Sequence, residues 1–233
     1  MNYLKFLALI LSLGIFGFSE AQVNHSVWNN MLQAHVTSSG NVNYAGFKRN
    51  ALTLENYLFT LRQNPPQASW SKNAQLAYWI NAYNAYTIKL IVDNYPVSSI
   101  MELHDGKPWD VKWIEIGNKT YSLNNIEHDI IRAKFDEPRI HFAVNCAAKS
   151  CPPILNRAWT AKNLEANLEA QTRTFINDSR YNQISAGGAK LSKIFEWYAK
   201  DFGDLATYVN KYASRKVKAG RIDFLEYDWA LNE

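Results

Sequence analysis

Apolar residues recur along the chain with two different periods, and the changes of period outline its elements. Helical spacing begins with Val27, Trp28, Met31, Leu32 and His35, which predicts an amphipathic helix over 24–36. Ser38-Ser39-Gly40 breaks it, and Val42-Asn43-Tyr44 reads as a short extended piece or a turn. Leu54, Tyr57, Leu58 and Leu61 place a second helix within 52–61, stopped by Asn64-Pro65-Pro66. The longest helical run follows, from Lys72 to about Asp93, with Ser71 as its cap. Leu76, Ile80, Tyr83, Thr87 and Leu90 make one stripe, which Trp79, Tyr86 and Ile91 widen. A helix apolar around most of its circumference belongs in the middle of a domain. Asn81 and Asn84 share one face of it, and buried carboxamides there need polar partners.

Beyond Tyr95-Pro96 the period changes. Val111, Trp113 and Ile116 alternate, Gly117-Asn118-Lys119 turns the chain, and Tyr121 returns, which predicts a hairpin. Asn124 reads as the cap of a helix running through Phe135, with Ile126, Ile130, Ile131 and Phe135 on its apolar side. Glu127 occupies the capping-box position, and His128 and Arg132 share another face. Ile140, Phe142, Val144 and Cys146 alternate as in a strand with one buried face, leaving His141 and Asn145 on the other. A helix from Thr160 to about Asn177, a turn at Gly187-Gly188, a strand over 191–195, a helix near 203–213 and a last strand over 221–229 complete the order. The predicted fold is a single α+β domain: helices around a long central helix at about 72–93, with a small antiparallel sheet.

Composition adds three points. The N-terminus carries Lys5, an apolar run Phe6–Phe18 and small residues at Ser19 and Ala21, the order of a cleavable export signal. Residues 1–21 are therefore expected to be a signal peptide removed after Ala21, leaving a periplasmic or secreted domain over 22–233 with no membrane span. The net charge of +4 is dispersed, so no nucleic-acid partner is expected. Eight Trp and thirteen Tyr supply core and a potential sugar- or peptide-binding surface.

The chemistry concentrates in Pro138–Pro153, which holds both cysteines of the chain and His141. Cys146 is the sharpest candidate: a thiolate nucleophile needs a base and a group to orient that base. His128 or His141 can be the base, and Asn81, Asn84, Asn145 or Glu127 the orienter. Cys146 can equally be a small buried residue, or pair with Cys151 if the turn brings their Cα atoms within roughly 7 Å. The Glu127–His128 pair has metal-ligand chemistry but lacks a zinc spacing such as H-E-x-x-H, so neither metal nor cofactor is expected. Asp201 and Asp228 read as caps or surface charges. In an extended strand His141 and Cys146 stand roughly 16 Å apart. That separation ranks His128 above His141 as the partner of Cys146, and Asn84, Glu127, His128, His141 and Cys146 are expected in one cleft.

Four phrases together are distinctive: A-Y-W-I-N-A-Y-N-A-Y-T-I at 77–88, S-L-N-N-I-E-H-D-I-I-R at 122–132, P-R-I-H-F-A-V-N-C-A-A-K-S-C-P-P at 138–153, and L-E-Y-D-W-A-L-N at 225–232. In this order they resemble the DUF547 family of exported bacterial and some plant proteins, whose function is not established. The resemblance covers about 70–180 most strongly and implies that these phrases meet in one module. It also implies that Ser is accepted at the position of Cys151, which places more weight on Cys146. Two functions remain: a thiol-dependent hydrolase or acyl transferase acting on peptide or envelope polymer, and a non-catalytic envelope binding module with a pocket of aromatic and Asn side chains, monomeric in either case.

Overall fold

The computed structural model describes residues 22–218 and 220–233, so the expected signal peptide lies outside the described residues. Its organising element is the helix α4, Lys72–Asn94, whose number follows three shorter helices: α1 (Ser26–His35), α2 (Tyr44–Arg49) and α3 (Ala51–Gln63). Ser71 caps α4 by accepting a hydrogen bond from the Ala74 N–H at 3.2 Å. Nearly every residue from Ala74 to Val92 is buried, as the all-round apolar pattern predicts. Each fully buried Leu or Ile contributes about 1.5–3 kcal/mol relative to exposure. α2 and α3 both pack on α4. A helix with π-type hydrogen bonding over Asn125–Arg132 packs on α4 as well, and buries Ile126, Ile130 and Ile131.

The predicted hairpin is present as β1 (Ile114–Ile116) and β2 (Lys119–Tyr121), antiparallel, with Ile116 opposite Lys119. Gly117 takes φ 58° at the first position of the two-residue turn, where a side chain would be strained. A second sheet joins β3 (Gln183–Ser185), β4 (Gly188–Leu191) and β5 (Arg221–Phe224). The β3–β4 pair is antiparallel and the β4–β5 pair parallel. α5 (Leu164–Asn177) precedes β3, and α6 (Lys193–Trp197), α7 (Ala199–Phe202) and α8 (Leu205–Tyr212) lie between β4 and β5.

Three local expectations are corrected. The stretch 191–195 is not a strand beyond Leu191, because Ser192 caps α6 through the Ile194 N–H. The last strand ends at Phe224, and the chain then runs as an irregular tail to two isolated bridges, Ser99 with Ala230 and Ala148 with Leu231. Residues 139–146 are not a strand either. Pro138–Phe142 is a 3₁₀ turn started by the proline and by the Glu137 carboxylate on the Arg139 N–H.

The reason for this last miss is burial on every side. Ile140, Ala143 and Val144 belong to the core around α4, whereas Phe142 belongs to a second, aromatic core with Phe175, Phe195 and Phe202. All residues from Ile140 to Asn145 are buried. The segment is the joint between two cores, and its apparent alternation records two neighbours rather than an inside and an outside.

Candidate functional site

Beyond the 3₁₀ turn the chain is held by carboxamides. Asn84 of α4 donates to the Ala143 carbonyl at 2.9 Å and accepts from the Asn145 N–H at 2.8 Å. Asn145 in turn donates to the Pro152 carbonyl at 2.9 Å and accepts from the Ala147 N–H at 2.9 Å and from Asn232 at 3.2 Å. Between these ties sits Cys146, and the next residue, Ala147, has φ 65°. An alanine held in the left-handed region is a strained corner that its surroundings must impose. Asn81 does similar work further away, bonding both the N–H and the carbonyl of Trp159.

The corner opens on a cavity of about 280 Å³. Glu127, His141, Cys146 and Cys151 line it, together with the tyrosines 83, 198 and 227 and the tryptophans 109, 197 and 229. Both thiols are free; the Cys146 N–H donates to the Cys151 sulfur at 2.9 Å. Burial pushes the Cys151 thiol well up. Burial acts on Cys146 in the same direction, but hydrogen bonds from Cys151, Tyr227 and the Ala148 N–H outweigh it and bring that thiol below its ordinary range. Tyr227, itself kept protonated by burial, lies 3.0 Å from the Cys146 sulfur through its hydroxyl.

His141 is 2 % exposed and stacks on Tyr198 at 3.9 Å between ring centroids. Its Nε2 lies 2.7 Å from Asp201 Oδ2. Arg132 grips the same carboxylate with Nε at 2.6 Å and Nη2 at 2.8 Å. The Arg132 hydrogen bonds, joined by that of His141, hold Asp201 down to about 2. An ionised carboxylate only accepts, so Nε2 carries the hydrogen and Nδ1 the lone pair of the neutral ring. Burial lowers the His141 pKa despite the opposing pull of Asp201, which keeps that ring neutral. The carboxylate thus fixes the tautomer of the ring and leaves Nδ1 as its hydrogen-bond acceptor.

Of the five residues expected in one cleft, Glu127, His141 and Cys146 line the cavity. Asn84 stands behind it as a backbone clamp. His128 is not in the lining; its Nδ1 is 3.1 Å from Arg132 Nη1, so it supports Arg132 instead. His141, and not His128, shares the cavity lining with Cys146: the 16 Å separation assumed an extended strand, and a 3₁₀ turn with an irregular corner does not impose it. Glu127 is not a capping acid. Ser122 and Asn125 cap the π-helix reciprocally, at 3.0 and 3.1 Å, and Asn124 makes no cap bond. Arg132 acts on Asp201 and not on the cavity directly.

Sequence reasoning missed Asp201, Tyr198, Tyr227 and Trp229. Tyr227 and Trp229 lie in the distinctive phrase at 225–232, which was the available signal. That tail is bound along the cysteine loop by Lys149 N–H to Ala230, Ser150 N–H to Asp228 and Asp228 N–H to the Ser150 hydroxyl. Among the described residues no group of three or more His, Cys, Asp or Glu could hold a metal ion. No described helix is long and apolar enough to cross a membrane.

The fold and cavity define a class: an α+β domain with a half-buried, hydrogen-bonded thiol and a buried histidine paired with a half-buried aspartate at the joint between two cores. Residues 67–176 match the model of DUF547, described as a protein of unknown function, and this part of the chain belongs to that family. The matched stretch carries Glu127, His141, Cys146 and Cys151, whereas Asp201, Tyr227 and Trp229 lie beyond it. No curated protein and no solved structure matches the chain.

Proposed function

We propose that this protein is a thiol-dependent hydrolase or acyl transferase, with Cys146 as nucleophile, His141 as base and Asp201 as the group that orients the base. One observation carries the reading: Cys146 and His141 line a single cavity, and Asp201 fixes the basic nitrogen of His141. His141 Nδ1 takes the proton of the Cys146 thiol. The sulfur forms a bond to the substrate carbonyl carbon, whose π electrons move to oxygen; their return breaks the bond to the leaving amine, which takes the proton from His141. Water or a second amine then attacks the thioester, its proton passes to His141, and the Cys146 thiolate leaves. Tyr227 and the Ala148 N–H, both donors to the sulfur, stabilise the thiolate that attacks and later leaves.

Peptide or envelope polymer is the proposed substrate class, consistent with an aromatic cavity and with the export signal read at 1–21. Export itself is tested by mass spectrometry of secreted material: an N-terminus at Gln22 supports it, and an intact Met1 peptide rules it out. A binding-module reading rests on a different observation, that the sulfur is hydrogen-bonded to a tyrosine hydroxyl and not to a ring nitrogen. Incubation with p-nitrophenyl acetate separates the two. A hydrolase gives rapid release of nitrophenol and a transient acetyl adduct on Cys146 that the Cys146→Ala variant lacks; a binding module reacts no faster than a free thiol in solution.

A further inference from the structure

Glu127 is 5 % exposed, lines the cavity, and receives one hydrogen bond, from the Tyr198 hydroxyl at 2.6 Å. Tyr198 is held protonated by burial, so it donates and carries no charge of its own. No ion pair to Glu127 exists among the described residues. The guanidinium of Arg132, which feels the charge of Glu127, is committed to Asp201 through two hydrogen bonds. A buried carboxylate accepts several hydrogen bonds and is costly to leave with one. Its surroundings sharpen the point, because Trp109, Trp197 and Trp229 form the wall of the same cavity, with Trp197 still 47 % exposed. Aromatic faces attract cations, and a compact ammonium group brings three donors to a carboxylate.

We infer that the cavity binds substrates through a free primary ammonium group, with Glu127 as its counter-ion and the tryptophan wall as its cation-attracting face. This deepens the proposed function by naming the substrate class: an acyl compound or peptide with an unblocked amine. Glu127 is then a binding residue and not the general base, a role that leaves His141 free to act on Cys146. The same arrangement rejects anionic substrates, since the cavity offers a second carboxylate no cationic partner.

The test needs no turnover. Alanyl-alanine amide, which carries an ammonium, and N-acetyl-alanyl-alanine amide, which does not, are titrated by calorimetry at pH 7 into the full chain, its Cys146→Ala variant and its Glu127→Gln variant. The expected result is at least tenfold tighter binding of the ammonium form to both wild type and Cys146→Ala, and loss of that preference in Glu127→Gln. Equal or tighter binding of the acetylated form, failure of the ammonium form to bind wild type, or an undiminished preference in Glu127→Gln overturns the inference. The two dipeptides compared on wild type alone decide the matter if Glu127→Gln does not fold. A catalytically dead protein that still prefers the ammonium form removes the proposed hydrolase and leaves this site standing; an acylating protein with no preference does the reverse.

Discussion

At the scale of single residues, the reactivity of Cys146 is decided by a balance between desolvation and three donors. Burial alone makes a thiol harder to ionise, as it does for Cys151. Cys146 escapes that outcome because Tyr227, Cys151 and the Ala148 N–H stabilise its charged form. Tyr227→Phe removes one of these donors while keeping the ring and its packing on Trp197 and Trp229. The pH midpoint for alkylation of Cys146 should rise in this variant, with slower labelling near neutral pH. An unchanged midpoint would show that the hydroxyl contact does not act on the thiolate. Tyr227 also illustrates a limit of sequence reading: a tyrosine in a C-terminal phrase offers no sign that it will meet a sulfur 81 positions earlier.

At the scale of elements, α4 serves as a rigid back wall from which Asn84 aims two hydrogen bonds at the chain just before Cys146. Asn84→Ala leaves the Ala143 carbonyl and the Asn145 N–H buried without that partner. The expected cost is about 2–6 kcal/mol, since each of the two unsatisfied buried groups costs about 1–3 kcal/mol. Urea unfolding followed by tryptophan fluorescence measures it, and a loss below about 0.5 kcal/mol contradicts a clamping role. α4 is legible in the sequence because its signal is long, capped by Ser71 and apolar on all sides. Asn84 is legible for the same reason, as a carboxamide that must find an internal partner. The 138–146 segment is not, because period-two apolar spacing cannot distinguish a half-buried strand from a turn wedged between two cores. Glu127 misleads in the same way: its spacing from Asn124 fits a capping box, but Ser122 and Asn125 perform that task and leave the carboxylate to face the cavity.

For the molecule as a whole, the site depends on the two cores remaining docked. The α4 core supplies Asn84 and the cysteine corner; the second core supplies Tyr198 and Asp201. Acid should loosen this arrangement in two steps. His141 has a folded pKa below its unfolded value near 6.5, so the unfolded chain takes up the proton first and stability falls as pH drops below 6.5. Asp201 has a folded pKa of about 2 against an ordinary carboxylate value of 3.8, so its contribution is present above about pH 4 and is lost between pH 4 and 2. Asp201→Asn abolishes the second step. Thermal unfolding from pH 7 to 2 should show the wild-type advantage in Tm shrinking between pH 4 and 2; a difference independent of pH contradicts the linkage. This long-range pairing of residues 60 apart explains why Asp201 looks like a surface charge in the sequence. Its partner is fixed only when α7 packs against the 3₁₀ turn.

The central claim, that Cys146 is a nucleophile served by His141, is tested most directly by timed alkylation with iodoacetamide across pH 5–10. Peptide mass spectrometry then reports Cys146 and Cys151 separately, in wild type and in His141→Asn. The account predicts rapid labelling of Cys146 in the folded protein, with a midpoint below that of an ordinary thiol. Cys151 should stay unlabelled, and Cys146 should react more slowly at neutral pH once His141 is replaced. Cys146 that remains unlabelled until the protein is denatured, or that labels identically in wild type and His141→Asn, would contradict it.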